Sequence, residues 1–428
     1  MVVYTIAYVI NIRISYDVSL VSTAVSGQLD LFFRIHYFIM ILAFVFHKRK
    51  YLLSNSEKGG YNSMSSLSWS GRLQRTFLDY QHVFVFLAPI LFIVGVYFGA
   101  PTPADADAGY WLKFWWLFPF FLLGATIVNT VGISGSALFV PYLIFIFPLL
   151  AFELDPATIV KIGLISESFG LSSSSLAFIQ HGLVDRRLAA TLVGGSIPFV
   201  VGGALLSFVI PEPIFQLLLA IALLASAALL FKIDLSHDEP ADSDSEASGG
   251  VAVEADGGPD LPDDSAKPGA AGVSTDDDGV VTRVDRTGNT YSYTRGGYLE
   301  RFGNYSIGGV FQGLAGFGIG ELGIISMLRT SVPVRIAIGT NHIVVATTAI
   351  LASLVHVFGG GLVGGHTMDL ASTPWNMVVW TVPAAATGGQ IAPFVANALD
   401  TGTIKHAVGI LFAIIATALF LMAGSGLI

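Results

Sequence analysis

Two carboxylates stand inside apolar stretches of the chain, Glu167 and Glu321. A charged group there is costly, and where one persists it commonly marks an ion or substrate pathway. Two glycine clusters accompany them: Gly132-Ile-Ser134-Gly135-Ser136, and Gly318-Ile-Gly320-Glu321, which contains the second acid. Glycine permits a helix to break and lets backbone approach closely. A helix that restarts after such a break begins with unpaired N–H groups and the positive pole of its dipole, so an oxyanion is a natural ligand. Gly132, Ser134, Gly135, Ser136, Gly318 and Gly320 are therefore candidate substrate-binding residues. Asn341, on the span beside the second break, joins them. Glu321 and Glu167 are the candidates for proton coupling.

Other chemistries fit less well. Gly318-Ile-Gly-Glu-Leu-Gly323 matches the dinucleotide pattern G-x-G-x-x-G, but that pattern needs a preceding strand in a soluble βαβ unit. Gly132-Ile-Ser-Gly135 resembles the G-x-S-G of rhomboid intramembrane proteases, so the alternative function is a serine protease using Ser134 with His342 or His356 as base. The duplication argues against it, because the second cluster carries Gly320 and no hydroxyl. The chain has no cysteine, and its histidines form no i, i+4 pair, so neither a metal site nor a cofactor is expected. No catalytic residue is assigned and no enzymatic activity is expected. Ser166, Ser168 and Ser172–Ser175 suit either a polar path or plain helix packing. Lys161, near the start of its segment, is expected to snorkel to the interface.

The elements that must position these residues are membrane helices. The chain is 53% hydrophobic and 12% charged, with a mean hydropathy of +0.70, whereas soluble domains sit near a quarter charged. Apolar segments cover 83–99, 114–150, 157–179, 188–210, 214–231, 305–328, 336–358, 375–398 and 407–422. Trp111, Trp115, Trp116 and Trp375 lie at segment ends, as interfacial aromatics do. The fold class is an all-α polytopic membrane protein. Membrane lipid and a small anion are the expected partners, and no basic surface for nucleic acid is present. The net charge of −9 belongs to one segment: more than half of the 30 acidic residues fall between Asp234 and Glu300.

Four regions follow. Residues 1–63 form an atypical N-terminal extension, with Met64 reading as a natural start. Residues 64–231 hold a first membrane repeat with a preceding helix. Residues 232–301 form an acidic cytoplasmic linker, expected to be disordered because it buries too little apolar surface. Residues 302–428 hold a second membrane repeat. The two repeats share features in the same order. Gly132-Ile-Ser-Gly135 corresponds to Gly318-Ile-Gly-Glu321, and Asp155-Pro156 with Gly163 to Val332-Pro333 with Gly339. Pro198 with Gly202-Gly203 corresponds to Pro383 with Gly388-Gly389. Lys and Arg mark the cytoplasmic side. Placing Arg186, Arg187, Arg329, Arg335 and Lys405 there makes both glycine segments re-entrant hairpins and puts loop 359–374 outside. The halves are then oppositely oriented, the inverted repeat of secondary transporters located in the cell membrane.

This order of glycine break, proline-led span, Pro/Gly-Gly span and closing helix, occurring twice, resembles the TauE/SafE family of sulfite and organosulfonate exporters. The likeness runs over about 118–423 apart from the linker. The family's G-x-G-G-G followed by proline is similar to Gly132-Ile-Ser134-Gly135-Ser136 with Pro141. The second copy departs from it at Glu321, Leu322 and Met327. Ala337-Ile-Gly-Thr-Asn341 is similar to the family's A-x-G-T-S. The resemblance implies a permease or exporter for sulfite, thiosulfate or a sulfonate.

Overall fold

The computed structural model describes residues 81–103, 109–211, 272–285, 289–359 and 370–398, with isolated positions elsewhere. The expectations about residues 1–63, Met64, Lys405 and most of loop 359–374 lie outside the described residues.

Apolar runs punctuated by glycine and proline become helices with ends where the punctuation falls. Helix α1 (Gln81–Gly99) stops before Pro101. Helix α2 (Leu117–Val131) ends at Gly132, whose φ of +77° is left-handed and suits glycine. Helix α3 (Ser136–Leu150) restarts the chain after the break, with a π turn at Tyr142–Ile146. Helix α4 (Pro156–Gln180) is capped by Asp155, whose carboxylate accepts from Thr158 N at 3.0 Å. Helix α5 (Arg186–Leu206) is capped by Asp185, which accepts from the amides of Arg187 and Leu188. Beyond the linker come α6 (Tyr298–Ala315), α7 (Ile319–Arg329), α8 (Val334–Phe358) and α9 (Trp375–Ala398). Three of these, α4, α5 and α8, are long and apolar enough to cross a bilayer.

Each broken segment is a helical hairpin. Helix α3 folds back along α2, with Phe121 stacked on Phe139 at 4.4 Å and Trp116 on Phe147 at 5.4 Å. Helix α7 folds back along α6: Gly308 lies against Ile319, and Glu300 pairs with Arg329 at 2.8 Å. Helix α4 sets a common direction for both. Helix α9 runs parallel to it, since Ser166 Oγ donates to Thr381 and, farther along both helices, Gln390 donates to Ser173. The open end of the first hairpin meets the start of α9, where Trp380 Nε1 donates to the Trp111 carbonyl at 2.7 Å. The second hairpin opens at the other end of α4, beside the α4–α5 turn. At 25 residues, α4 separates those ends by roughly 37 Å.

Partners before and after the linker interleave: α4 packs on α8 and α9, α5 on α6 and α8, and α2 on α9. Backbones touch at glycines. A Cβ on Gly203 of α5 would sit 2.1 Å from the Val310 carbonyl oxygen on α6, and one on Gly388 of α9 would sit 2.8 Å from that of Leu122 on α2.

The linker expectation needs correction. Residues 272–294 hold a three-stranded antiparallel sheet, β1 (Gly272–Thr275), β2 (Val280–Val284) and β3 (Thr290–Thr294), in the order β1-β2-β3. The acidic run Asp276-Asp277-Asp278 is its first turn: Asp276 Oδ1 accepts from Val280 N at 2.7 Å. Val281 and Tyr293 enter the helical core, which supplies the burial that composition alone did not reveal. Lys161 also differs from expectation. It is buried at 2% exposure and donates to Ser372 Oγ at 2.7 Å, so it does not snorkel.

Candidate functional site

The tips of the two hairpins meet. Ser134, in the first break, and Gly320, in the second, are close enough that a Cβ on Gly320 would lie 2.6 Å from Ser134 N. Only a residue without a side chain fits between them. In the second break the helix-ending left-handed residue is Gly316, at φ +88°, so it is Gly316 and not Gly318 that corresponds in conformation to Gly132. Gly318, at φ +114°, serves as the N-cap of α7, a conformation that side chains disfavour.

Both carboxylates converge on these tips. Glu321 Oε2 accepts from Gly318 N at 2.7 Å, and its Oε1 accepts from Ser134 N at 3.2 Å. Glu167 reaches across from α4, and its Oε2 accepts from Ser136 N at 2.9 Å. The amides expected to stand open for an anion are therefore held by the chain's own carboxylates. The reason is energetic: a buried N–H left without a partner costs about 1–3 kcal/mol, and an ionised acceptor makes the stronger hydrogen bond.

Two residues that sequence reasoning missed complete the cluster. Gln312, fully buried on α6, donates from Nε2 to Glu167 Oε1 at 3.1 Å. Ser134 Oγ lies 3.2 Å from both Gln312 Oε1 and Glu321 Oε2, so its single proton serves one at a time. Tyr305 is the second, its hydroxyl donating to Asn341 Oδ1 at 2.6 Å. Asn341 Nδ2 in turn donates to the carbonyls of Gly132 at 2.7 Å and Gly320 at 2.8 Å. Asn341 thus braces one break against the other. The signal for Gln312 and Tyr305 was their polarity on an otherwise small-residue helix face, read only as part of an apolar run.

All nine residues proposed from the sequence fall in or against this one cluster. Gly135 lies beside Glu167, where a Cβ would come within 3.3 Å of the Glu167 Cβ. Five of the six serines singled out on α4 are engaged elsewhere, while Ser175 Oγ is buried without a hydrogen-bond partner among the described residues. Ser166, Ser168, Ser172 and Ser174 donate to carbonyls of their own helix or to neighbouring helices, and Ser173 donates to Ala386. That is helix packing. The protease arrangement is not formed either. His356 Nε2 sits 2.7 Å from the Gly313 carbonyl, and His342 packs edge-on against Phe178. Neither histidine is hydrogen-bonded to Ser134.

Compared with known proteins, residues 117–419 match the profile of the family described as sulfite exporter TauE/SafE. No curated protein and no solved structure matches the chain.

Proposed function

The chain belongs to the sulfite exporter TauE/SafE family, and on that premise we propose that it is a gradient-driven permease exporting a small anion such as sulfite, thiosulfate or a sulfonate. The observation that carries this reading is the occupancy of the hairpin tips. Carboxylates of Glu321 and Glu167 rest on the break amides, the donors best suited to an oxyanion. A substrate anion and these carboxylates compete for the same N–H groups. Protonating a carboxylate weakens its hold and frees the donors, so proton movement drives the anion. Gly132, Gly135 and Gly320 let the breaks pack closely on their neighbours, Ser134 and Ser136 add hydroxyls, and Asn341 holds the tips in register.

The packing supports an inverted repeat. The matched helices α4 and α8 run antiparallel: Phe178 touches His342 near one end, and Lys161 lies within electrostatic reach of His356 near the other. The contacts are reciprocal, since α2 packs on α9 as α6 packs on α5, and α4 packs on α9 as α8 packs on α5. An axis in the membrane plane produces this pattern. The two hairpins are then re-entrant from opposite faces of the cell membrane. The sheet end, which carries Arg186, Arg187, Arg329 and Arg335, is cytoplasmic by the positive-inside rule.

Reconstitution tests the function. Proteoliposomes given a pH gradient should accumulate at least one of radiolabelled sulfite, thiosulfate or taurine, and a protonophore should abolish the accumulation. Folded protein that moves none of the three under any gradient would refute the reading.

A further inference from the structure

The three-stranded sheet bonds to both halves of the helical core at one end. From the first half, Gly182 accepts from Arg283 Nη1 at 3.0 Å. Asp185 accepts on one oxygen from Tyr293 OH and from Arg295 Nε, each at 2.8 Å. Asp185 is 1% exposed and Arg295 26%, so the pair is largely shielded from water and salt. Within the sheet, Tyr291 OH donates to Asp285 Oδ2 at 3.1 Å. The sheet then runs through Gly296 and Gly297 into α6. There Arg301 donates to the carbonyls of Arg295 and Gly296 and to Thr330 Oγ1 at the end of α7. Between these anchors Val281 and Tyr293 are packed into the core.

The sheet ties the α4–α5 turn to the open end of the α6–α7 hairpin, and the turn also meets the second half directly, where Asp185 N donates to Thr340 Oγ1 at 2.9 Å. Access to the hairpin tips from this end requires those two parts to separate. They cannot separate while one folded sheet is bonded to both. We propose that the sheet is a strap that holds this end closed, and that Asp185 and Arg295 must part for the end to open. The inference rests on the alternating-access reading above, but its test does not need a transported anion. The strap leaves from the Asp185 side and stays attached to α6, because the Arg301 contacts lie within its own connection and the Asp185 contacts reach across to the other half.

The chain has no cysteine, so single thiols report cleanly. Ser326→Cys places one on α7 between the strap end and the break, at a buried position. Ser353→Cys places one on α8 toward the other end, also buried. Full-length protein in lipid nanodiscs is labelled with a charged methanethiosulfonate reagent. Adding Arg295→Gln should speed labelling at Ser326→Cys on the order of tenfold, the scale set by losing one charged hydrogen bond, and leave Ser353→Cys unchanged. Tyr293→Phe, which removes only a hydroxyl, should give a smaller rise at the same site and keeps the test decisive if Arg295→Gln does not fold. Unchanged labelling at Ser326→Cys in the folded variants overturns the strap. So does an equal rise at both thiols, which would mean general loosening. A strap that fails this test leaves anion transport in proteoliposomes untouched, so the two failures are told apart.

Discussion

Replacing Glu321 with glutamine tests the competition between carboxylate and anion directly. Glu321 presents two oxygens to three donors: Gly318 N and Ser134 Oγ face Oε2, while Ser134 N faces Oε1. Glutamine keeps the shape and one acceptor. Its NH2 does least harm at the Oε1 position, where it forfeits the bond from Ser134 N. That single loss costs about 1.5–3 kcal/mol of tip-to-tip contact, so the protein should fold with a lowered melting temperature. The diagnostic quantity is the pH dependence of anion affinity. Each carboxylate that must take up a proton before the anion binds contributes about a tenfold change in affinity per pH unit, tighter as pH falls. With Glu321 and Glu167 both on break amides, the native protein should show a slope of up to two such decades. Glu321→Gln has one fewer group to neutralise and should lose one decade per unit, with affinity at high pH raised. Isothermal calorimetry with thiosulfate, which stays ionised throughout, from pH 6 to pH 9 (about the range where such coupling is useful) measures both. An unchanged slope in folded Glu321→Gln protein would show that Glu321 takes no part in coupling.

Gly320→Ala should push a methyl group to 2.6 Å from Ser134 N, costing about 1–3 kcal/mol of stability by overpacking and abolishing anion binding. Gly194→Ala, where nothing lies within 4 Å, should change neither, and a thermal melt with a binding assay compares the two. For topology, a thiol placed at Asp277 should be labelled only from the cytoplasmic side and one at Ala371 only from outside, and labelling of both from one face would end the inverted arrangement. Burial would raise the carboxyl pKa of Asp185, but the Arg295 bond and charge, the Leu188 amide and the Tyr293 hydroxyl outweigh it and hold it below the ordinary range. A lowered folded-state pKa gives stability that is complete above the ordinary carboxylate value and is lost as pH falls through the lowered one. Proteolysis between β2 and β3 should therefore stay slow at neutral pH and accelerate only under strong acid, whereas Asp185→Asn should be cut readily at every pH.

Much of this site could be read in the sequence because its signals were local. A glycine cluster inside an apolar run is a break wherever it falls, and Gly132–Gly135 and Gly316–Gly318 both break their helices. An acid in such a run needs donors, and the nearest unsatisfied ones are those the break creates. The pairing of Gly132 with Gly318 failed by two residues because glycine is abundant around the second break, and only the backbone conformation distinguishes Gly316. The sheet was missed for a different reason. Composition averaged over 232–301 is acidic and polar, and it hides the short alternating runs Val280–Val284 and Thr290–Thr294. Those runs carry the β-branched and aromatic residues that make strands. What holds them is burial of Val281 and Tyr293 against helices distant in sequence, which no window of local sequence contains.

The two halves reach similar ends by different means, and the difference bears on mechanism. Helix α7 carries its own acid: Glu321 lies in its first turn and reaches back to its N-cap amide. Helix α3 has no acid, and the space beside Gly135 is filled by Glu167 from α4. Glu321 therefore bonds to both tips at once, through Gly318 N and Ser134 N, while Glu167 bonds only the first hairpin and the Gln312 amide. Neutralising Glu321 loosens the contact between halves. Glu167 ties α3 to α4 within the first half and also bonds Gln312 on α6 of the second. Both acids therefore join the halves, and in the proton-coupled reading proposed above protonating either one would weaken a bond between them, with Gln312 and Ser134, 3.2 Å apart, linking the two.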